Sequence, residues 1–229
     1  MIKAVMFDFS GTLFRIESVE AWWQAAVAEL GLDLPEAGAA ACVARLRRLG
    51  ALPGSPSGTV PEELATLWQE RDLDMVRHRA AYTGLARAAD LPDDRLADAL
   101  YERHRSPEAW RPYPDTAAVL TQLRRRGVPV AVVSNIGWDL RPVFRRHRLD
   151  ELVDAYVLSF EQGVQKPDPA IFETACRELG HDPADVLMVG DDLTADGGAT
   201  ALGCPFHAVE HRPVDDRPAG LAPLLDLLD

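Results

Sequence analysis

Lysine is nearly missing from this chain. Lys3 and Lys166 are the only two, and every other basic side chain is arginine. Chemistry that needs a lysine amine therefore has two positions to draw on. Positive charge is scarce overall, with a formal net charge of -12. That balance argues against a nucleic-acid surface or an anionic membrane as partner, and an anionic substrate must be drawn in by a local positive site. The three cysteines (Cys42, Cys176, Cys204) are odd in number and widely spaced, with no C-x-x-C and no disulfide framework. This is the pattern of a reducing, cytoplasmic setting. No apolar run approaches the roughly 20 residues needed to span a bilayer, and no signal-peptide order of charged, apolar and small residues opens the sequence. The six histidines show no zinc spacing and read as surface or packing residues. Internal repeats are absent. What is present, 229 residues of which 47% are hydrophobic and 26% charged, suffices for one sizeable core plus an inserted subdomain.

The pattern along the chain begins with a buried strand, Lys3 to Phe7, that stops on Asp8 and a small-residue turn, Ser10-Gly11-Thr12. Helical periodicity follows over Ser18 to Gly31, with Ser18 as N-cap and Gly31 as stop, and over Glu36 to Gly50. Trp22 and Trp23 lie on the first of these helices. Pro53-Gly54-Ser55-Pro56-Ser57-Gly58 has the composition of a linker. Helices are expected again over Pro61 to Arg71, Asp72 to Asp90 and Asp93 to Arg105. Residues 15 to 108 thus read as an all-helical insertion. Strands and helices then alternate: helix 116–127, strand 128–133, helix 139–149, strand 155–159, helix 169–180, strand 186–189, a small-residue helix 195–202, strand 205–209 and a short terminal helix. Alternation of this kind implies an α/β fold with a parallel, doubly wound, Rossmann-like sheet.

Chemistry collects where such strands end. Asp8 ends the first strand, and an aspartate there can attack phosphorus and carry the phosphoryl group. Gly11 and Thr12 suit a loop that approaches a phosphate closely. Ser134 and Asn135 end the second, a hydroxyl and an amide able to bind phosphate oxygens. Asp191 and Asp192 end the fourth, with Asp196 one turn on. Mg²⁺ is usually held by one or two carboxylates together with phosphate oxygens and waters, and Asp8 and Asp191 could supply them. Lys166, in the loop Gln162 to Pro169, could balance the crowded negative charge and stabilise a transferring phosphoryl group. Trp138 and Arg141, just past the second of these strand ends, are within possible reach of a substrate.

Four motifs together resemble the haloacid dehalogenase-like (HAD) hydrolase superfamily: Asp8-Phe9-Ser10-Gly11-Thr12, Val133-Ser134-Asn135, Lys166-Pro167-Asp168-Pro169 and Gly190-Asp191-Asp192-Leu193-Thr194-Ala195-Asp196. The resemblance covers essentially the whole chain. It implies a catalytic core from residues 1–14 and 109–229 with a helical cap from 15–108. It implies Asp8 as nucleophile, Ser134 as phosphate binder, Lys166 as charge-balancing lysine and Asp191 as a Mg²⁺ ligand. Asp196 would be a second ligand or stand just behind the ligands, with Asp192 as a substitute, and the Ser10 backbone carbonyl would be the remaining protein ligand.

One departure matters. Phosphatases of the superfamily usually carry a second aspartate two residues after the nucleophile, as general acid and base, and here that position is Ser10. A serine hydroxyl cannot take over that proton transfer, whose loss typically lowers a rate by ~10²–10⁴-fold. Phosphonatases of the superfamily use a cap lysine, and residues 15 to 108 contain none. Dehalogenases attack carbon without a metal and would leave Asp191, Asp192 and Asp196 unexplained. The leading expectation is a Mg²⁺-dependent phosphatase of a small phosphorylated metabolite, acting in the cytoplasm as a monomer or homodimer, without nucleic-acid or membrane partners. The alternatives are a 2-haloacid dehalogenase-like or phosphonatase-like hydrolase, and a catalytically impaired binding or regulatory protein.

Overall fold

The computed structural model describes residues 1–52 and 58–228. β1 (Ala4–Phe7) and the short β2 (Phe14–Ile16) come first. Helices α1 (Val19–Glu29), α2 (Glu36–Leu49), α3 (Ala65–Gln69), α4 (Met75–Ala88) and α5 (Arg95–Arg105) follow, joined in part by 3-10 turns. Next come β3 (Trp110–Pro112), α6 (Thr116–Arg125), β4 (Val130–Ser134), α7 (Arg141–Arg146), β5 (Ala155–Leu158) and α8 (Ser159–Gln162). The chain ends with α9 (Pro169–Leu179), β6 (Val186–Gly190), β7 (Phe206–Ala208) and 3-10 turns.

Five strands form a parallel sheet in the order β5-β4-β1-β6-β7. The first strand in sequence is the central one, flanked by β4 and β6. Helices cover both faces, so β1 is fully buried and reads as an unbroken apolar run. The alternation survives in which core each residue enters. Val5 and Phe7 join Val132, Leu187 and Val189 on one face, against Leu120 and Leu123 of α6 and Phe144 of α7. Ala4 and Met6 join Ala131, Val133 and Met188 on the other, against Ile171, Phe172 and Ala175 of α9.

The helical stretch begins as its caps suggest. Ser18 Oγ accepts from Ala21 N at 3.2 Å, and Gly50, in a left-handed conformation, closes α2. Trp22 and Trp23 are both buried, and the Trp22 indole donates to Leu100 O at 2.8 Å. Several boundaries differ from the sequence expectation: the helix expected over Pro61 to Arg71 is a 3-10 turn, Glu62–Leu64, followed by α3, and the terminal helix is a 3-10 segment, Ala222–Leu228. The helix expected from Asp72 starts at Met75, capped by Asp74, and Arg71–Leu73 is a separate 3-10 turn. The stretch 15–108 is not helical from its first residue, because Arg15 and Ile16 belong to β2, which pairs antiparallel with β3. Strands of three residues are too short for their alternation to register in sequence, and this pair closes a loop of more than ninety residues that no local signal announces. The helix expected over 195–202 is a 3-10 segment, Asp196–Leu202. The linker read at 53–58 lies outside the described residues except for Gly58.

The C-terminal segment is part of the core. Arg217 is buried, sits over the Tyr113 ring, and donates to the carbonyls of Gly11 and Thr12. Asp115 accepts from Leu221 N at 2.6 Å and Ala222 N at 3.0 Å. Phe172 shows how much the second face contributes. It is fully buried between α9 and the sheet, and Phe172→Ala is expected to lower unfolding stability by about 3–5 kcal/mol in urea titrations.

Candidate active site

Sheet order explains why residues far apart in sequence meet. β4, β1 and β6 are neighbours, and their carboxyl ends carry Ser134, Asp8 and Asp191 side by side. Asp8 extends the ladder by one bond, its N–H donating to Val189 O at 2.9 Å. The Asp8, Asp191 and Asp196 carboxylates converge, with one oxygen of each within 4.8 Å of the others. Gly190 allows this crowding, because a Cβ there would strike the Asp196 carboxylate. Gly11 does the same with a φ of 97°, where a Cβ would strike both Asp191 and His211.

Lys166 enters the cluster from the loop before α9. Its buried ammonium donates to Asp8 Oδ1 at 2.6 Å, Asp196 Oδ1 at 2.6 Å and Val133 O at 3.0 Å. Burial opposes the charged form, but Asp196 and Asp8 outweigh it and hold the ammonium above the ordinary lysine pKa. Asn135 fixes the lysine's backbone, donating to Lys166 O at 2.9 Å and accepting from Lys166 N at 2.7 Å. Both ends of the Asn135 amide are thereby engaged. Thr12 Oγ1 donates to Asp191 Oδ1 at 3.1 Å. Asp196 is engaged at both oxygens, since its Oδ2 accepts from Asp192 N at 3.0 Å. Asp192 turns instead to cap the following turn, accepting from Thr194 N at 2.8 Å and Ala195 N at 2.9 Å.

Three carboxylates face one ammonium. Like charges about 5 Å apart repel by on the order of 3 kcal/mol per pair at an effective dielectric of about 20. Burial first, and then Asp196 and Asp191, push the Asp8 carboxyl above the usual carboxylate range against the pull of Lys166. Burial pushes Asp191 the same way, but His211, Thr12 and Lys166 outweigh it and hold it below that range. Such a set of hard oxygen donors with excess negative charge suits a divalent cation such as Mg²⁺. Ser10 lies beside it, and its Oγ is buried without a hydrogen-bond partner among the described residues.

Above the strand ends is a cavity of about 760 Å³, lined by Asp8, Ser10, Ser134 and Lys166 below and by helical-stretch residues that include Arg71, Asp72, His78 and His104. His78 and His104 are packing residues as expected, but they also wall this cavity. Burial, aided by Arg71 and Arg105, lowers His78 to about 3, and burial above all, with Arg105 nearby, holds His104 well below the usual histidine range. Trp138 is buried in an aromatic cluster with Phe9 and Trp110. Arg141 is held outside by Asp139 and Glu161.

Sequence reasoning missed Asp72, His211 and Arg217. His211 Nδ1 pairs with Asp191 Oδ2, yet it sits in a tail with no motif. Asp72 looked like the first residue of a helix. Only the structure sets them at the site.

The (S)-2-haloacid dehalogenase 4A of Burkholderia cepacia is 31% identical over 206 residues, 88% of this chain and 80% of that protein. The glyceraldehyde 3-phosphate phosphatase of Methanopyrus kandleri is 32% identical over 213 residues, 89% of this chain and 82% of that protein. The solved structure of the L-2-haloacid dehalogenase of Xanthobacter autotrophicus has the same fold, with a TM-score of 0.65 at 24% identity and coverage of 99% of this chain and 88% of that one. The sequence model of the haloacid dehalogenase-like hydrolases matches residues 2–201. With the motifs at three adjacent strand ends and this match over most of its length, the chain belongs to the haloacid dehalogenase-like hydrolases.

Proposed function

We propose that this hydrolase is a Mg²⁺-dependent phosphatase of a small phosphorylated metabolite. The observation that carries the reading is the convergence of Asp8, Asp191 and Asp196 on one point beside Lys166. Attack on carbon has no need of that surplus of carboxylates. Attack on a phosphate dianion needs both a cation and a lysine. The phosphatase relative from Methanopyrus kandleri supports the same class.

Asp8, Asp191 and the Ser10 carbonyl would hold the ion, with Asp196 behind them orienting Lys166 and the loop through Asp192 N. Bound there, Mg²⁺ supplies charge neutralisation and orientation of the phosphate oxygens. The Asp8 carboxylate attacks phosphorus in line, the bond to the leaving group breaks, and water then releases phosphate from the aspartyl phosphate. Ser134 binds a phosphate oxygen. Thr12, Asn135 and Gly11 act as positioning residues: Thr12 steers Asp191, Asn135 steers Lys166, and Gly11 leaves room for Asp191. Residues 15–108 form the cap over the cavity, entered and left through the β2-β3 pair, and exclude water during the reaction. Three free cysteines fit a cytoplasmic setting, and no helix among the described residues is long and apolar enough to cross a membrane. The protein acts there as a monomer or homodimer.

The test is phosphate release from a panel running from alkyl monoesters to acetyl phosphate, with Mg²⁺ and with EDTA. Release is expected only with the metal, and Asp8→Asn is expected to abolish it. Lys166→Met, which leaves Asp8 and Asp196 without their shared cation, is expected to lower kcat by at least ~10²-fold. The dehalogenase relatives give a second reading its own support. Halide release from a 2-haloacid that survives EDTA would replace the phosphatase reading, and no turnover of either kind would leave a binding protein.

A further inference from the structure

Ser10 stands where a phosphatase of this family usually keeps its acid and base, and its hydroxyl cannot protonate an alkoxide. A different carboxyl in the same cavity has no assigned task. Asp72, in the turn between α3 and α4, is 4% exposed, and it lines the cavity together with Asp8, Ser10 and Lys166. Its place is fixed from the sheet side. Ser159 Oγ, held by Ile136 N at 2.9 Å, donates to Asp72 O at 2.6 Å, and Gln165 Nε2 donates to Gln69 O at 2.8 Å. The first bond docks the turn on the start of α8, and the second docks the end of α3 on the loop that carries Lys166.

The carboxyl itself is poorly satisfied. Arg71 Nη2 makes an ion-pair contact with Oδ2 at 3.3 Å, and His78 Nε2 stands 3.7 Å from Oδ1, beyond hydrogen-bond length. No described residue gives either oxygen a hydrogen bond. Other groups set the charge around it. Tyr82 faces it from α4, and Lys166 acts on it from the sheet side. On α5, His104 is neutral and Arg105 acts on His78. Burial pushes the Asp72 carboxyl above the usual carboxylate range against Arg71 and Lys166, the direction that favours a carboxyl able to hold a proton.

We propose that Asp72 performs the proton transfers that Ser10 cannot, acting from the helical cap as the general acid and base of the phosphatase reaction. The inference rests on the phosphatase reading above. As Asp8 attacks phosphorus and the bond to the leaving oxygen breaks, protonated Asp72 gives its proton to that oxygen. An alcohol and an Asp72 carboxylate result. As water attacks the aspartyl phosphate and the bond to Asp8 breaks, the Asp72 carboxylate takes the proton from water. Inorganic phosphate is released and Asp72 is again protonated.

The experiment is the leaving-group dependence of kcat/KM for the Mg²⁺-loaded protein and for Asp72→Asn, over alkyl phosphates, aryl phosphates and acetyl phosphate. The wild-type rate is expected to depend weakly on leaving-group pKa. Asp72→Asn is expected to lose ~10²–10⁴-fold on alkyl esters while acetyl phosphate changes by no more than about threefold. A loss of equal size on every substrate, or no loss, overturns the proposal. So does a wild-type rate that falls steeply with leaving-group pKa, a result that stands even if Asp72→Asn fails to fold. Phosphate release with a steep dependence removes only the role of Asp72. Absence of release from every compound removes the phosphatase reading and this proposal together.

Discussion

The ammonium of Lys166, buried between Asp8 and Asp196, is the contact around which this structure is arranged. A lone charge in that position would be costly by several kcal/mol, and it is tolerated because two carboxylates and the Val133 carbonyl satisfy it. Its position in turn depends on other groups. Asn135 grips the lysine backbone from the end of β4, and Gly198 lets the 3-10 segment after β6 approach Pro167, where a Cβ would come within 2.6 Å of the proline ring. Removing the ammonium would leave Asp8 and Asp196 without their shared cation.

Two outer layers complete the site, and both come from parts of the chain that carry no recognisable motif. The C-terminal tail locks the turn after Asp8 through Arg217, which holds the carbonyls of Gly11 and Thr12, and through His211 on Asp191. The helical stretch closes the cavity from above and is stitched down by Ser159 and Gln165. The nucleophile's turn is therefore held by the tail, while the helical stretch is held on the other side of the cavity. In the proposed reaction, a carboxylate placed in line with phosphorus would benefit from such restraint.

Much of this was legible in the sequence, for identifiable reasons. The strands were readable because a doubly covered parallel sheet demands unbroken apolar runs, and Ala4–Phe7, Val130–Ser134 and Val186–Gly190 are such runs, with Asp8, Asn135 and Asp191 directly after them. The nearness of Asp8, Ser134 and Asp191 follows from strand adjacency, while Lys166 and Asp196 reach the same place from the loop before α9 and the 3-10 segment after β6. The finer roles were not legible. Thr12 and Asn135 looked like phosphate binders by type, but their side chains are directed to Asp191 and Lys166, a fact set by packing geometry and not by spacing. β2 and β3 escaped notice because three residues show no period and their pairing is long-range. Asp72 was hidden for a different reason. Its neighbours continue a helical pattern, so only the break before Asp74 reveals it as a turn residue facing the cavity.

The central claim is that Asp8 becomes covalently phosphorylated. The direct measurement is mass spectrometry of the protein quenched in acid while it turns over acetyl phosphate with Mg²⁺, followed by analysis of the peptide that contains Asp8. The account predicts a phosphoryl adduct on Asp8 that is absent from Asp8→Asn and decays as phosphate accumulates. Steady release of phosphate with that peptide unmodified at every time point would contradict it, because water would then be attacking phosphorus directly and the arrangement around Lys166 would serve another chemistry.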